Sequence, residues 1–218
     1  MKHVASKVMP YAVRPMRLED VPQVTQVDRE AFPTMWPPPP FKRELANELA
    51  SYLTAYDRGA QVPYPPRPEG VGRWLSRLRR RPVPETLPEV QLVDFIVGYA
   101  GLWFAWDEAH LTGLGVRTAY QRRGVGELLL IASLELATRK NSRYMVLETR
   151  VSNLGAQALY EKYGFSRNAV RRGYYTDNGE DALVMITDPI GLPSYQERLE
   201  RLKSIHTEKW GRTDVALP

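Results

Sequence analysis

The segment Leu111-Thr112-Gly113-Leu114-Gly115-Val116 is short and apolar, as a strand is, and runs into the basic turn Gln121-Arg122-Arg123-Gly124-Val125-Gly126. The residues that follow, Glu127 to Ala137, are good helix formers. A strand that feeds a glycine-containing turn, which then opens a helix, leaves few architectures open. The first N–H groups of a helix have no partner within it, and its dipole is positive at that end. Glycine lets a ligand approach that backbone, and arginine adds charge, so the unit is built to hold a phosphate. Neither standard nucleotide motif fits. Leu129 stands where a dinucleotide fingerprint has its third glycine, and there is no P-loop lysine. On the turn alone, a plain helix start with two small residues is as good a reading.

The downstream residues decide between them. Arg143 to Arg150 reads as a strand, and Ser152-Asn153-Leu154-Gly155-Ala156-Gln157-Ala158-Leu159-Tyr160 opens a helix that continues to Tyr163-Gly164-Phe165. Gln-x-x-Gly-x-Gly, then Leu-Glu-x-Arg, then Ser-Asn-x-x-Ala-x-x-Leu-Tyr-x-x-x-Gly-Phe resembles the GNAT superfamily of acetyl-CoA-dependent N-acetyltransferases. Within it the chain is most similar to RimI-type ribosomal-protein-alanine N-acetyltransferases, a likeness that Val170 to Tyr175 and Glu180-Asp181-Ala182 extend. The resemblance spans roughly residues 95–188 and holds only in outline before that.

The resemblance implies an α+β fold: a mixed, mostly antiparallel, splayed sheet flanked by helices. It also implies a donor site for acetyl-CoA. The turn residues Arg122, Arg123, Gly124, Val125, Gly126 and Glu127 would hold the pyrophosphate. The backbone of Leu114, Gly115 and Val116 would pair with the pantetheine arm, with Gly115 easing a bulge there. Asn153 would either touch the cofactor or simply cap its helix. The acceptor would lie against Phe32, Met35 and Trp36 and under Tyr174 and Tyr175.

Two residues carry the expected chemistry. Strand alternation puts Tyr144, Val146 and Glu148 on one face, and a carboxylate in an apolar strand is costly unless it is paired or functional. Glu148 is therefore either a general base, acting directly or through water, or half of a salt bridge with Arg150 or Arg117. Tyr160 is the expected general acid for the departing thiolate, the alternative being a core tyrosine. An α-amine, with a pKa of about 8, needs only a weak base, whereas a lysine amine near about 10.4 needs a stronger one. That favours an N-terminal acceptor, such as a ribosomal protein beginning with alanine. The rivals are a lysine or small-molecule acceptor, and a non-catalytic acetyl-CoA-binding module.

Composition removes other mechanisms. The chain has 218 residues and no cysteine, so an acyl-cysteine intermediate and thiolate metal sites are excluded and direct transfer in a ternary complex is the simpler route. Its three histidines are scattered in sequence, and no metal site is expected. No run of about 18 apolar residues is present, so no membrane span is expected, and the N-terminus lacks a signal-peptide core, so the cytoplasm is the expected location. The net charge of +5 suits an anionic cofactor.

Before the family-like segment, Tyr11 to Leu18 reads as an edge strand limited by Pro15, and Asp20 as the N-cap of a helix ending near Ala31. A second helix is expected over 41–49. Residues 58–91, rich in proline, form an expected insertion around a basic amphipathic segment at 71–81 that contains Trp74. That insertion is the only part where nucleic-acid contact is considered; otherwise the segment packs over the sheet. Residues 1–190 are expected to form one domain, 191–218 a helical extension, and the chain past Gly211 a loose tail.

Overall fold

The computed structural model describes residues 7–34, 37–64 and 91–218. Met35, Trp36 and the basic segment around Trp74 lie outside the described residues. In chain order the elements are β1 (Tyr11–Pro15), α1 (Val21–Ala31), α2 (Phe41–Glu44), β2 (Ala50–Tyr64), β3 (Gln91–Ala105), β4 (Glu108–Val116) and α3 (Val125–Arg139). They continue with β5 (Tyr144–Arg150), α4 (Leu154–Lys162), β6 (Phe165–Tyr175), β7 (Glu180–Thr187) and α5 (Pro193–Trp210).

The strands form one seven-stranded sheet in the order β1-β2-β3-β4-β5-β7-β6. Only β4 and β5 are parallel, as a strand–helix–strand crossover requires; every other pair is antiparallel. This is the mixed, mostly antiparallel sheet expected from the sequence. Alternation along the strands supplies two cores. Leu53, Val97, Leu111, Met145 and Leu147 join α3, α4 and α5 in one cluster, while Tyr52, Ile96 and Tyr99 join α1 and Phe41 in the other. α3 is apolar nearly all round, which suits a helix covered by both the sheet and α5.

Several local expectations change. The helix expected over 41–49 stops at Glu44. Asn47 accepts the Leu49 N–H through its side chain at 3.1 Å, and the Leu49 carbonyl accepts the Phe104 N–H at 2.8 Å, so the chain is drawn into the sheet instead. Asp20 does not cap α1. It is fully buried and pairs with Arg14 at 2.6 Å, because an interior guanidinium requires a carboxylate. β2 runs on through Arg58 to Tyr64, which pairs with Gln91, so the sheet takes in the first residues assigned to the insertion.

The tail past Gly211 is not loose. Arg212 bridges Val8 and Val215 bridges Val13, both in parallel, so the tail covers the outer edge of β1. No helix of the described residues is long and apolar enough to cross a membrane.

Candidate functional site

The site begins where the sheet opens. β4 and β5 pair only from Glu108–Leu111 to Tyr144–Leu147 and then diverge. A register shift against β3 leaves Thr112 as an extra residue on β4, at the point where the splay starts. The bulge therefore sits at Thr112 and not at Gly115. It puts Leu111 and Leu114 on the same face, against the α3 core, despite their odd spacing. Gly115 has a different task. A Cβ there would lie 2.9 Å from the Tyr99 ring and 3.2 Å from Ala31, so glycine lets α1 and Tyr99 close on the strand.

Backbone alternation fixes what faces the gap. The Arg117 N–H donates to Val97 at 2.9 Å, which makes residues 117, 115 and 113 the ones bonded to β3. Leu114 and Val116 thus turn their N–H and carbonyl groups into the splay. Gln121 donates to the Val116 carbonyl at 3.2 Å. The Val116 N–H has no strand beside it.

The turn closes one end of the gap. Arg122 (φ 59°) and Gly124 (φ 83°) are both left-handed, the alternation that makes successive N–H groups converge on an anion. The first bond of α3 runs from Leu128 N–H to Gly124 at 2.9 Å, so the N–H groups of Val125, Gly126 and Glu127 precede the helical ladder. Arg122 is exposed, and Arg123 lies over the Tyr120 ring. The Glu127 side chain is committed elsewhere, accepting from Lys162 at 2.5 Å and from the Tyr163 hydroxyl at 2.8 Å. Burial would raise its carboxyl, but those donors outweigh it and hold it below the ordinary value. The Asn153 side chain accepts the Ala156 N–H at 3.1 Å, so it caps α4.

On the α1 side of the splay stands Glu148. Its Oε2 accepts from His110 Nε2 at 2.6 Å, and Arg171 Nη1 lies 3.0 Å from Oε1. The expected salt-bridge partners are engaged elsewhere. Arg150 holds Asp177 and Glu180 and stacks on Tyr175, while Arg117 holds Glu30. A carboxylate can only accept, so His110 Nε2 carries the proton. The Arg171 contact lies within ion-pair distance but is not aligned as a hydrogen bond. Glu148 Oε1 is thereby the one buried side-chain polar atom among the described residues without a hydrogen bond. The His110 bond lowers the Glu148 pKa; burial opposes it, and the Arg171 charge adds to the lowering. Glu148 is therefore held in its ionised form, with Oε1 ion-paired to Arg171 but without a hydrogen bond.

Sequence reasoning missed His110 and Arg171. Their only signal is the strand pairing that sets His110 opposite Val146 and carries Arg171 in on β6.

Tyr160 belongs to the other core, 8% exposed, with its ring 5.6 Å from Phe165. Burial, aided by Tyr175, pushes its hydroxyl up to about 12, which keeps it protonated. Glu148 and Tyr160 thus lie on opposite faces of the sheet. Tyr175 is buried beside an exposed Tyr174, their ring centroids 5.2 Å apart. Phe32 is half-buried against the α1 cluster, and Thr34 lies near enough to Asp177, at the β6–β7 tip, to help hold its carboxyl below the ordinary value. The segment after α1 and the hairpin therefore meet over the Glu148 side.

The acetyltransferase (GNAT) family model matches residues 49–165. An N-alpha-acetyltransferase of Sulfurisphaera tokodaii is 34% identical over 184 residues, covering 83% of this chain and 95% of that protein. The N-alpha-acetyltransferase RimI of Mycobacterium tuberculosis is 35% identical over 153 residues, covering 70% and 75%. Among solved structures, the ribosomal-protein-S18-alanine N-acetyltransferase of Escherichia coli aligns with a TM-score of 0.61 at 24% identity, over 84% of this chain and 95% of that one. That last likeness is one of fold.

Proposed function

The chain belongs to the acetyltransferase (GNAT) family, and from that premise we propose that it is a protein Nα-acetyltransferase, acetylating the N-terminal amine of a protein that begins with alanine, such as a ribosomal protein. The observation that carries this reading is Glu148: ionised, buried, and with one oxygen that is ion-paired to Arg171 but makes no hydrogen bond. The names of the two relatives support the same acceptor class. A carboxylate held below its ordinary range is a weak base. It suits an amine with a pKa of about 8, of which roughly a tenth is already neutral at pH 7, better than a lysine amine near about 10.4.

Acetyl-CoA, the donor of this family, supplies the acetyl group as an activated thioester. The residues present fit it. Arg122, Arg123 and the N–H groups of Val125, Gly126 and Glu127 would hold its pyrophosphate. The Leu114 backbone and the Val116 N–H, which have no strand beside them on the splay side, would bond its amide arm. The Val116 N–H would donate to the thioester oxygen as negative charge develops there. Glu148 Oε1 would take the proton from the attacking amine, directly or through water, with His110 Nε2–H fixing the carboxylate's orientation. Tyr160 would return a proton to the departing thiolate, leaving an amide and a thiol. Phe32, Met35, Trp36, Tyr174 and Tyr175 would border the acceptor peptide.

The test is transfer from labelled acetyl-CoA to two peptides, followed by mass spectrometry. One has a free N-terminal alanine and no lysine; the other has a blocked N-terminus and an internal lysine. Label on the first alone is expected. Label on the second alone moves the enzyme to lysine acceptors. Label on neither, with acetyl-CoA bound, points to a small-molecule amine or a non-catalytic binder.

A further inference from the structure

The C-terminal helix is built onto the back of the phosphate turn. His206, 4% exposed, places Nε2 3.1 Å from the Gly124 carbonyl. A carbonyl can only accept, so Nε2 carries the proton, and burial pushes the His206 pKa down and favours the neutral ring. The same carbonyl accepts the Leu128 N–H that starts α3. One oxygen thus ties the turn, α3 and α5 together. Trp210 completes the contact, because a Cβ on Gly124 would lie 2.7 Å from its Nε1. The indole fills the space that glycine leaves. The end of α5 is itself anchored: Lys7 donates to the Lys209 carbonyl at 2.7 Å, and Arg212 N–H to the Lys7 carbonyl at 2.9 Å. None of α5 lies in the segment that matches the family.

We propose that His206 and Trp210 are positioning residues for the donor. They hold Gly124 in its left-handed conformation so that the N–H groups of Val125, Gly126 and Glu127 converge before the pyrophosphate arrives. The donor site is then completed by the C-terminal helix, and docking of that helix and donor affinity are one quantity. Turn geometry set in advance lowers the ordering cost of binding. This inference rests on assigning the turn to the pyrophosphate, and on nothing about the acceptor.

The test is calorimetric titration of the full-length protein with coenzyme A, paired with steady-state kinetics. The comparison is wild type against His206→Leu, Trp210→Ala and His206→Gln, whose side-chain amide N–H can stand in for Nε2–H. His206→Leu and Trp210→Ala are expected to weaken coenzyme A binding and raise the KM for acetyl-CoA about five- to tenfold, the scale of one hydrogen bond. kcat and the acceptor KM should hold, and His206→Gln should recover most of the loss. Equal affinity in all four proteins, or a fall in kcat at constant KM, overturns the proposal. Failure of the wild type to bind coenzyme A overturns the donor-site reading itself.

Should the variants not fold, the wild type still decides. The Trp210 indole N–H resonance, assigned in the wild type from its through-bond and through-space connectivities, is expected to shift on coenzyme A addition. A resonance that stays fixed while coenzyme A binds overturns the proposal.

Discussion

The two walls of the splay are made differently. The wall proposed for the donor is built of backbone: the edge of β4 at Leu114 and Val116, left-handed Gly124, and the first N–H groups of α3. The wall proposed for the acceptor is built of side chains, from β4, β5, β6 and the hairpin tip: His110, Glu148, Arg171, Tyr174 and Asp177. A backbone site binds what every acetyl-CoA has in common and tolerates side-chain change. A side-chain site carries charge and shape and can be retuned one residue at a time, so on the proposed function it is where acceptor choice would reside.

That contrast predicts where substitutions act. The largest effect is expected for Glu148→Gln, which should lower kcat about 100- to 1,000-fold while leaving coenzyme A affinity intact, the range for loss of a general base. Activity within a few-fold of wild type would make Glu148 a structural carboxylate. Next is Tyr160→Phe, expected to lower kcat about 10- to 100-fold with coenzyme A binding retained; an unchanged rate removes Tyr160 as the acid.

His110→Ala should lower kcat by about tenfold, as loss of a hydrogen bond to a charged group costs. It should also move the pH profile. His110 holds the Glu148 pKa down, so in the wild type the base is lost only when the pH falls below the ordinary carboxylate range. Without His110 that acid limb should move to higher pH. A limb that stays in place would mean that Arg171 alone sets the charge state. The smallest effect is expected for Tyr174→Ala, about a threefold rise in acceptor KM with acetyl-CoA KM unchanged, since a half-exposed ring contributes modestly. A change in acetyl-CoA KM instead would erase the separation between the walls.

The strand, turn and helix of the proposed donor wall were readable in the chain as secondary structure, because they lie within one short stretch and their conformations are local. Gly124 begins α3 and Gly164, at φ 85°, ends α4 for the same reason: glycine takes the left-handed region at little cost. Readings of single polar residues did less well. Asp20 looks like a cap in sequence but is drawn inward by Arg14, and Asn47 ends a helix that composition would have continued. For Asp20 a tertiary partner outweighed a local preference of about 1 kcal/mol, whereas Asn47 acts through a local bond to the Leu49 N–H.

The sequence by itself determined the strand–turn–helix unit, the alternation that sets Glu148 on one face of its strand, and the family motifs that name the chemistry. All of these depend on neighbours a few residues apart. Only the tertiary structure decided what Glu148 meets, where the bulge falls, and what supports the turn. His110 is 38 residues from Glu148, and His206 is 82 residues from Gly124. Contacts at such separations are set by strand register and helix docking, which arise from packing the whole sheet at once, and no local pattern records them.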